Sequence, residues 1–192
     1  MRRQLIEVAR EIVANGGLQA LTARGLATRL GWAVGTIYTV LPTLDAITLE
    51  ANAEELAELN AALRSDLAKA PDETPERRVM VLTESYLRFT LARPKSWAAI
   101  FERDAEGDPP DWYRARQTVL FDVLEEALRP LLSQYDDPDA EARQASRALW
   151  AALQGLSALA MAGHIGRVAE TSAPELARYL VDTFLAGLAA RR

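Results

Sequence analysis

Hydroxyl-bearing and aromatic side chains cluster early in the chain, just after a glycine-led turn. Val34, Thr36, Tyr38 and Thr39 bring methyl groups, two hydroxyls and a phenol together within six residues. No base, acid or nucleophile accompanies them, so they have the chemistry of recognition, by hydrogen bonds and apolar contact, and not of catalysis. The stretch that carries them, residues 21–45, holds the strongest functional signal in the sequence.

No other group of residues has the composition of a catalytic or metal centre. The chain has no cysteine and a single histidine, His164, which follows Gly163 at the predicted end of a long helix. A histidine there is typical of a C-terminal helix cap, and the carboxylates are scattered over polar helix faces. No glycine-rich loop follows a strand. We therefore expect no catalytic residue, no metal and no cofactor, and we predict that the chain is not an enzyme.

Two short helices joined by a tight turn are predicted over residues 21–45. Thr22 is a suitable N-cap for the first helix, and Gly31 suits its left-handed C-terminal end. Helical spacing then resumes over 34–41, where Gly35 lets the backbone come close to DNA or to the first helix. Such a pair, with small and hydroxyl side chains outward on the second helix, is a helix-turn-helix pattern.

The same stretch resembles the DNA-binding motif of TetR-type (tetracycline-repressor-like) transcriptional regulators. That motif runs Thr-x-Arg-x-x-Ala-x-x-x-Gly-Val-x-x-Gly-Thr-Ile/Leu-Tyr-x-x-Phe-x-x-Lys. The matching residues are Thr22, Arg24, Ala27, Gly31, Gly35, Thr36, Ile37 and Tyr38. Trp32, Leu41 and Leu44 stand where the family has Val, Phe and Lys. Leu44 thus lacks the cation that the family places near a DNA phosphate.

The resemblance implies that some outward side chains contact bases and others contact phosphates. Val34 is suited to a thymine methyl group, and Thr36 or Thr39 to base edges or phosphates. Tyr38 and Arg24 are expected to reach phosphates and so to position the protein without reading sequence. The predicted DNA-binding residues are Arg24, Val34, Gly35, Thr36, Tyr38 and Thr39.

Aromatic residues of the second half of the chain have two interpretations. Core filling explains any one of them, whereas an apolar ligand pocket between helices would use several together. The aromatic candidates for ligand binding are Tyr86, Phe89, Trp97, Phe101, Phe121 and Trp150. Both interpretations stay open, and any ligand is expected to be small and largely apolar.

Residues 147–166 resemble the C-terminal motif of a TetR subfamily that has a Trp-x-x-x-His-Gly signature. Trp150 and Gly155 match this signature, and Gln154 stands in the place of the histidine. Gln154 is therefore added to the candidate ligand-binding residues. It can donate and accept a hydrogen bond, but it does not titrate.

Length, composition and charge are those of an ordinary soluble protein. The 192 residues are 49% hydrophobic and 26% charged, with a net charge of −5. Residues 1–50 carry a net charge of +1 and residues 51–192 carry −6, which fits a DNA-facing head on an acidic body with few phosphate contacts. Because neither a membrane-spanning run nor a signal-peptide core is present, we expect a cytoplasmic location.

Helical periodicity runs through the chain, and no segment alternates as a strand does. We predict an all-α fold of about nine helices, with a three-helix helix-turn-helix domain over 1–43 and a helical ligand-binding and dimerisation bundle over 44–192. Pro130 is expected to kink one helix, and Asp104–Asp111 to form a surface turn. The helices predicted after the motif cover about 44–67, 75–92, 95–103, 112–133, 138–163 and 173–190.

The resemblance also implies a homodimer in which the last two helices form a four-helix bundle with those of the partner. Independently, the helices over 138–163 and 173–190 have apolar faces beyond what one small domain needs. The predicted function is a DNA-binding transcriptional regulator, in the first place a repressor, that binds a palindromic double-stranded operator under the control of a ligand. One alternative is a helical ligand-binding or interaction protein that has lost DNA binding. The absence of the family's lysine at Leu44 and the near-neutral charge of residues 1–50 favour it. A small helical enzyme is the least favoured function.

Overall fold

The computed structural model describes residues 1–102 and 108–191, and over these ranges the chain is helical without a strand. The predicted all-α class is confirmed. None of the described helices has the length and apolar composition needed to cross a membrane. The helices are α1 (Arg2–Gly16), α2 (Ala23–Leu30), α3 (Val34–Val40), α4 (Leu44–Ala68), α5 (Pro75–Ala92), α6 (Pro94–Ala99), α7 (Asp111–Leu128), α8 (Pro138–Met161), α9 (Ile165–Val168) and α10 (Ala173–Ala190), with 3₁₀ turns at Leu18–Ala20 and Arg129–Leu132.

Departures from the predicted helices are short and have local causes. The four-residue α9 is too short to leave a periodic pattern in the sequence, and it brings the described helices to ten. At Pro130 the chain changes from α-helix to a 3₁₀ turn, since proline removes a backbone donor and clashes with the preceding turn. Residues 104–107 of the predicted surface turn lie outside the described residues.

Caps fix the helix ends that frame the helix-turn-helix pair. The Thr22 hydroxyl accepts a hydrogen bond from the Gly25 N–H at 3.0 Å, as its N-cap role requires. Gly31 has φ 68°, the left-handed conformation that ends α2 and turns the chain toward α3. The Thr43 hydroxyl caps α4 by accepting from the Ala46 N–H at 3.0 Å.

A capping box begins α10. The Ser172 hydroxyl accepts from the Glu175 N–H, while the Glu175 carboxylate accepts from the Ser172 N–H at 2.9 Å. The Thr171 hydroxyl and both groups of Ser172 donate to this carboxylate, and these hydrogen bonds lower the pKa of Glu175 to about 2. The helix predicted over 173–190 is therefore present, and the capping box stabilises its N-terminus.

Two compact units make up the chain, and the first consists of Met1–Glu58 and Arg93–Gln117. Its core gathers the apolar faces of α1, α2 and α3 around the N-terminal half of α4, which is buried on most sides. Inside the core the Asn52 amide donates to the Ala99 carbonyl of α6 at 3.2 Å. Fully buried core residues of this unit are Leu5, Ala9, Leu26, Ile37, Ile47 and Ala99.

The second compact unit consists of Leu59–Ala92 and Thr118–Arg192. Here α5, α8 and α10 pack against one another, and the buried hydroxyls of Thr90 and Ser157 lie 2.8 Å apart. The division of function at residues 43 and 44 stays a prediction, because α4 belongs in part to each unit. Fully buried residues of this unit are Val79, Val123, Leu128, Leu132, Leu149 and Val181.

Replacing Gly31 by alanine should destabilise the protein by roughly 1–2 kcal/mol, because an alanine side chain clashes with the backbone in the left-handed conformation. Gly35 is the matched control: it lies inside α3, and an added Cβ meets no atom within 4 Å. Gly35→Ala should stabilise the protein by about 0.5–1 kcal/mol through helix propensity. Urea unfolding of the two variants measures both changes; equal effects would contradict the assigned turn.

Candidate nucleic-acid interface and apolar cavity

The helix-turn-helix pair presents one apolar face to the core and one face to solvent. Leu26 of α2 and Ile37 of α3 are fully buried and join the two helices to the core of the first unit. On the opposite side of α3, Val34 and Tyr38 are 38% and 43% exposed. A valine and a tyrosine one turn apart on a short exposed helix form a surface that can meet base edges and backbone.

Hydroxyl groups of α3 are less free than the sequence suggested. Thr36 is half-buried, and the Thr39 hydroxyl donates to the Gly35 carbonyl at 3.0 Å. In this rotamer Thr39 can still accept a hydrogen bond, for example from a base amino group, but its proton is already used. The space around Gly35 is open, so close approach to the first helix does not explain a glycine there.

Arginine pairing distinguishes Arg24 from the other cations of the head. Of the five arginines in residues 1–50, the pairs are Arg2 with Glu50, Arg3 with Glu7, Arg10 with Glu55 and Glu58, and Arg29 with Glu11. Arg24 is exposed at the start of α2, and within the described part of the chain no carboxylate pairs with it. Its charge is therefore available to a phosphate.

Two carboxylates of α4, one turn apart, lie between two guanidinium groups from other elements. The Arg10 guanidinium of α1 donates to Glu55 at 3.2 Å and to Glu58 at 2.6 Å. Arg93, between α5 and α6, donates to Glu58 and lies 3.5 Å from Glu55. We call these four residues the α4 ion network. It fastens α1 and the start of α6 to the same turn of α4.

Burial makes the α4 ion network depend on all its members. The Glu55 side chain is 6% exposed, so its charge needs partners inside the protein. Burial alone would raise the pKa of Glu58, but hydrogen bonds from Arg93 and Arg10 outweigh it and lower that pKa below its usual value. Hydrogen bonds to these carboxylates likewise raise the pKa of both arginines, against the opposing effect of burial. Glu58 and the two arginines are thus charged at neutral pH.

The second unit contains a narrow apolar cavity between α4, α5, α7 and α8. The space between its atoms amounts to about 480 Å³, including the part that opens to solvent. Its lining consists of leucines, three aromatic residues and one threonine, without a charged side chain. The lining residues are Leu59, Leu63, Leu82, Thr83, Tyr86, Leu120, Phe121, Leu124, Trp150 and Leu153.

Predicted ligand-binding residues fall into two groups. Tyr86, Phe121 and Trp150 line the cavity, and the rings of Phe121 and Trp150 meet edge to face at 5.5 Å between centroids. Gln154 lies beside them, because its side-chain oxygen accepts from the Tyr86 hydroxyl at 2.5 Å. Phe89 is half-buried on the same helix as Tyr86 but is not part of the lining.

The remaining two candidates, Trp97 and Phe101, belong to the first unit. Trp97 is 1% exposed, and its ring packs edge to face against that of Phe101 at 5.6 Å. For Trp97 the core-filling interpretation therefore fits the geometry better than a place in the cavity wall. Aromatic type alone could not separate the two units, because the separation depends on which residues the tertiary fold brings together.

Sequence reasoning missed both the leucines of the cavity and the α4 ion network. The leucines repeat at helical spacing like any core stripe, and nothing local indicates that an open space lies between them. Glu55 stands beside the exposed Glu54, and no sequence signal tells which of the two is buried. In the described ranges no group of three histidine, aspartate or glutamate side chains could hold a metal ion.

The comparison with known families agrees with this geometry. The family model described as the tetracyclin repressor-like C-terminal domain matches residues 79–184, more than half of the chain. The chain therefore belongs to the tetracycline-repressor-like family of transcriptional regulators. The Trp-x-x-x-His-Gly subfamily stays a prediction.

Individual relatives are distant in sequence and similar in fold. An uncharacterised HTH-type transcriptional regulator of Mycobacterium tuberculosis, Rv0681, is 24% identical over 163 residues, which are 84% of this chain and 71% of that protein. A protein of unknown function from Rhodococcus sp. RHA1 superimposes with a TM-score of 0.81 at 20% identity, over 98% of this chain and 95% of the other. A TetR transcriptional regulator from the same organism gives a TM-score of 0.70 at 19% identity, over 97% of each chain.

Arg10→Met should lower the free energy of unfolding by about 2–3 kcal/mol, because it leaves Glu55 buried with Arg93 alone. This loss of stability is at the low end of the range expected for breaking a buried ion pair, since the Glu58 side chain is partly exposed. Adding Glu55→Gln should restore part of the loss. Arg3→Met, which removes an exposed cation, is the matched control and should change stability by at most about 0.5 kcal/mol. Equal losses in the two single variants, measured by urea unfolding, would contradict the assigned role.

The same network predicts the direction of a pH effect. Because the pKa of Glu58 is lower in the folded protein, its stabilising contribution is complete above the usual glutamate pKa of 4.5 and is lost as the pH falls through the folded value. Unfolding curves between pH 7 and pH 3 should therefore show a smaller acid-induced loss in Glu58→Gln than in the wild type.

Proposed function

We propose that the protein is a transcriptional repressor that binds a palindromic operator as a homodimer and releases it under the control of a small, largely apolar ligand. The observation that carries the proposal is the surface of α2 and α3, on which Val34 and Tyr38 of α3 and the unpaired cation Arg24 of α2 are all exposed. A regulator of this kind would act in the cytoplasm, where its operator lies. The comparisons support a DNA-binding regulator at the level of the family.

In the proposed complex α3 enters the major groove. Val34 contacts a thymine methyl, and the half-buried Thr36 and the accepting oxygen of Thr39 meet base edges near the groove floor. Tyr38 and Arg24 hold phosphates on either side of the groove. Gly35, which has open space in front of it, lets the DNA backbone come close. The number of charged contacts per subunit is small, so two heads must bind together for high affinity.

The proposed homodimer would use the exposed faces of α8 and α10. Small residues cover the solvent side of α8, and α10 adds further small residues beside Tyr179, which is 73% exposed. Such a surface lets helices of a second copy approach closely, and the tyrosine supplies contact area. The exposed small residues are Ala148, Ala151, Ala152, Gly155 and Ala158 on α8 and Ala186, Gly187, Ala189 and Ala190 on α10.

Ligand control is proposed to begin at the apolar cavity of the second unit. Tyr86 of α5 lines it, and the end of α5 leads directly into Arg93 of the α4 ion network. A ligand that moved α5 by a small amount would therefore pull on a group that is fastened to α1 through Glu55 and Glu58. A coupling free energy of about 1–3 kcal/mol between the two sites would be enough for regulation.

A helical ligand-binding protein without DNA binding is the second candidate. The pairing of the other arginines of residues 1–50 favours it, because it leaves few free cations, and Leu44 replaces the family's lysine. The two candidates differ in one measurable property, the affinity for specific DNA.

Fluorescence anisotropy with labelled DNA from upstream of the protein's own gene, at several salt concentrations, separates them. Arg24→Gln should weaken binding and lower the slope of log affinity against log salt by about 0.9 for each phosphate that the variant no longer neutralises. Tyr38→Ala should weaken binding to matched and scrambled DNA by similar factors, because a phosphate contact carries no sequence information.

Arg167→Gln is the control for the arginine variant, since it removes an exposed cation in the second unit. It should leave both the affinity and the salt slope unchanged. Absence of a salt-dependent, sequence-specific complex with the wild type would reject the repressor and leave the second candidate. Wild-type affinity in Tyr38→Ala would reject the role given to that residue.

A further inference from the structure

The walls of the apolar cavity contain no charged group. Six leucines and the rings of Tyr86, Phe121 and Trp150 make up most of the lining, and the only other polar group in it is the hydroxyl of Thr83. An ion that entered this cavity would lose its hydration without gaining a partner, which costs several kcal/mol in an apolar environment. The chemistry of the lining therefore discriminates against charged ligands.

The ion pair beside the Phe121 ring is already satisfied. The Arg147 guanidinium lies 4.1 Å from the centre of the Phe121 ring, and it donates to the Glu125 carboxylate and to the Ser146 hydroxyl. The Glu125 side chain is largely buried by this pair. Neither an anion nor a cation at this side of the cavity would find an uncompensated charge to pair with.

One hydrogen bond marks the polar part of the cavity wall. The Tyr86 hydroxyl of α5 donates to the Gln154 oxygen of α8 at 2.5 Å, whereas the Thr83 hydroxyl donates to the Val79 carbonyl of its own helix at 3.0 Å. A phenol and a carboxamide are neutral at physiological pH, and both can donate and accept. A ligand hydroxyl can donate to the phenolic oxygen of Tyr86 or replace Tyr86 as the donor to Gln154.

The lining limits the rest of the ligand to apolar groups. The space is bounded by paired residues one turn apart on α5, α7 and α8. Its leucine side chains are flexible and can adjust to a small apolar molecule. The paired lining residues are Thr83 and Tyr86, Phe121 and Leu124, and Trp150 and Leu153.

We infer that the cavity selects an uncharged, largely apolar molecule with one hydroxyl group, such as a medium-chain alcohol or a phenol, and that the Tyr86–Gln154 pair recognises the hydroxyl. This inference rests on the proposed function, since it names the chemical class of the ligand that the regulator would sense. Glutamine at position 154 keeps the recognition independent of pH, because its side chain does not titrate. The pair is a specificity element of the cavity and not only a contact between α5 and α8.

The test uses three probes with the same eight-carbon chain: 1-octanol, octanoate and octylammonium. Titration calorimetry on the full-length protein at pH 7 should give an affinity for octanol at least about tenfold above that for either ion. Octanol should change the fluorescence of the wild type, and this change should be absent in Trp150→Phe if the probe occupies the cavity. Octanoate binding as tight as octanol binding, or no octanol binding at all, would overturn the inference.

Variants then test the hydrogen-bonding pair. Tyr86→Phe and Gln154→Leu should each weaken octanol binding about three- to tenfold, as expected for the loss of one buried hydrogen bond. Gln144→Leu is the matched control, because this side chain is exposed and lies outside the cavity. Unchanged octanol affinity in both cavity variants would overturn the role of the pair. Thermal unfolding of each variant establishes that it is folded.

Anisotropy with operator DNA separates this inference from the proposed function. Selective octanol binding that leaves the affinity for DNA unchanged would contradict ligand control and support the ligand class. Octanoate that binds in the cavity and weakens the operator complex would do the reverse: it would support a ligand-controlled regulator and overturn the inferred class.

Discussion

Glu55 and Glu58 of α4 lie between the guanidinium groups of Arg10 and Arg93, and this pairing fixes how α1 and the start of α6 meet α4. The Glu55 side chain is nearly inaccessible to water, so the loss of either arginine is expected to destabilise the protein. Hydrophobic packing could hold α1 against α4 in several neighbouring positions, because apolar contact has no preferred direction. Hydrogen bonds between planar groups admit far fewer arrangements. The α4 ion network therefore gives α1 and the start of α6 a defined register on α4.

Ion pairing also explains why the head carries so little free charge. Four of the arginines in residues 1–50 are paired with carboxylates. Arg24 remains for a phosphate, and α3 offers a valine, two threonines and a tyrosine. A single head of this kind would bind DNA weakly. Under the proposed function the affinity comes from two heads held together, which makes the second unit part of the DNA-binding mechanism.

Features set by neighbours in the sequence could be predicted, and features set by distant contacts could not. The predicted caps at Thr22 and Gly31 were correct because a helix end is decided within four residues. The assignment of Trp97 to a ligand pocket did not match the geometry, because the pocket is formed by helices far apart in the sequence. The buried Glu55 carboxylate pairs with Arg10, which lies 45 residues away in the sequence, and no local sequence pattern indicates this contact.

In the candidate site, too, the residues could be predicted from the sequence, but the hydrogen-bond partners of their polar atoms could not. The sequence identified the exposed face of α3 through its motif, and the structure adds that the Thr39 hydroxyl is already bonded to the Gly35 carbonyl. It identified Tyr86 and Gln154 separately, and the structure adds that they form one hydrogen-bonded pair in an uncharged cavity. What the sequence lacked in each case was the partner. The partner decides whether a polar group is free to bind something else.

Under the proposed function, two weakly charged heads bind one palindromic operator together. The decisive measurement compares the affinity of the wild type for an operator duplex and for the same duplex with one half-site scrambled, at constant length and salt. Scrambling one half-site should weaken binding by about a hundredfold or more, because the second head then has no specific bases to bind. Affinities that agree within a factor of about three would contradict it, since a single head would then supply the whole binding free energy.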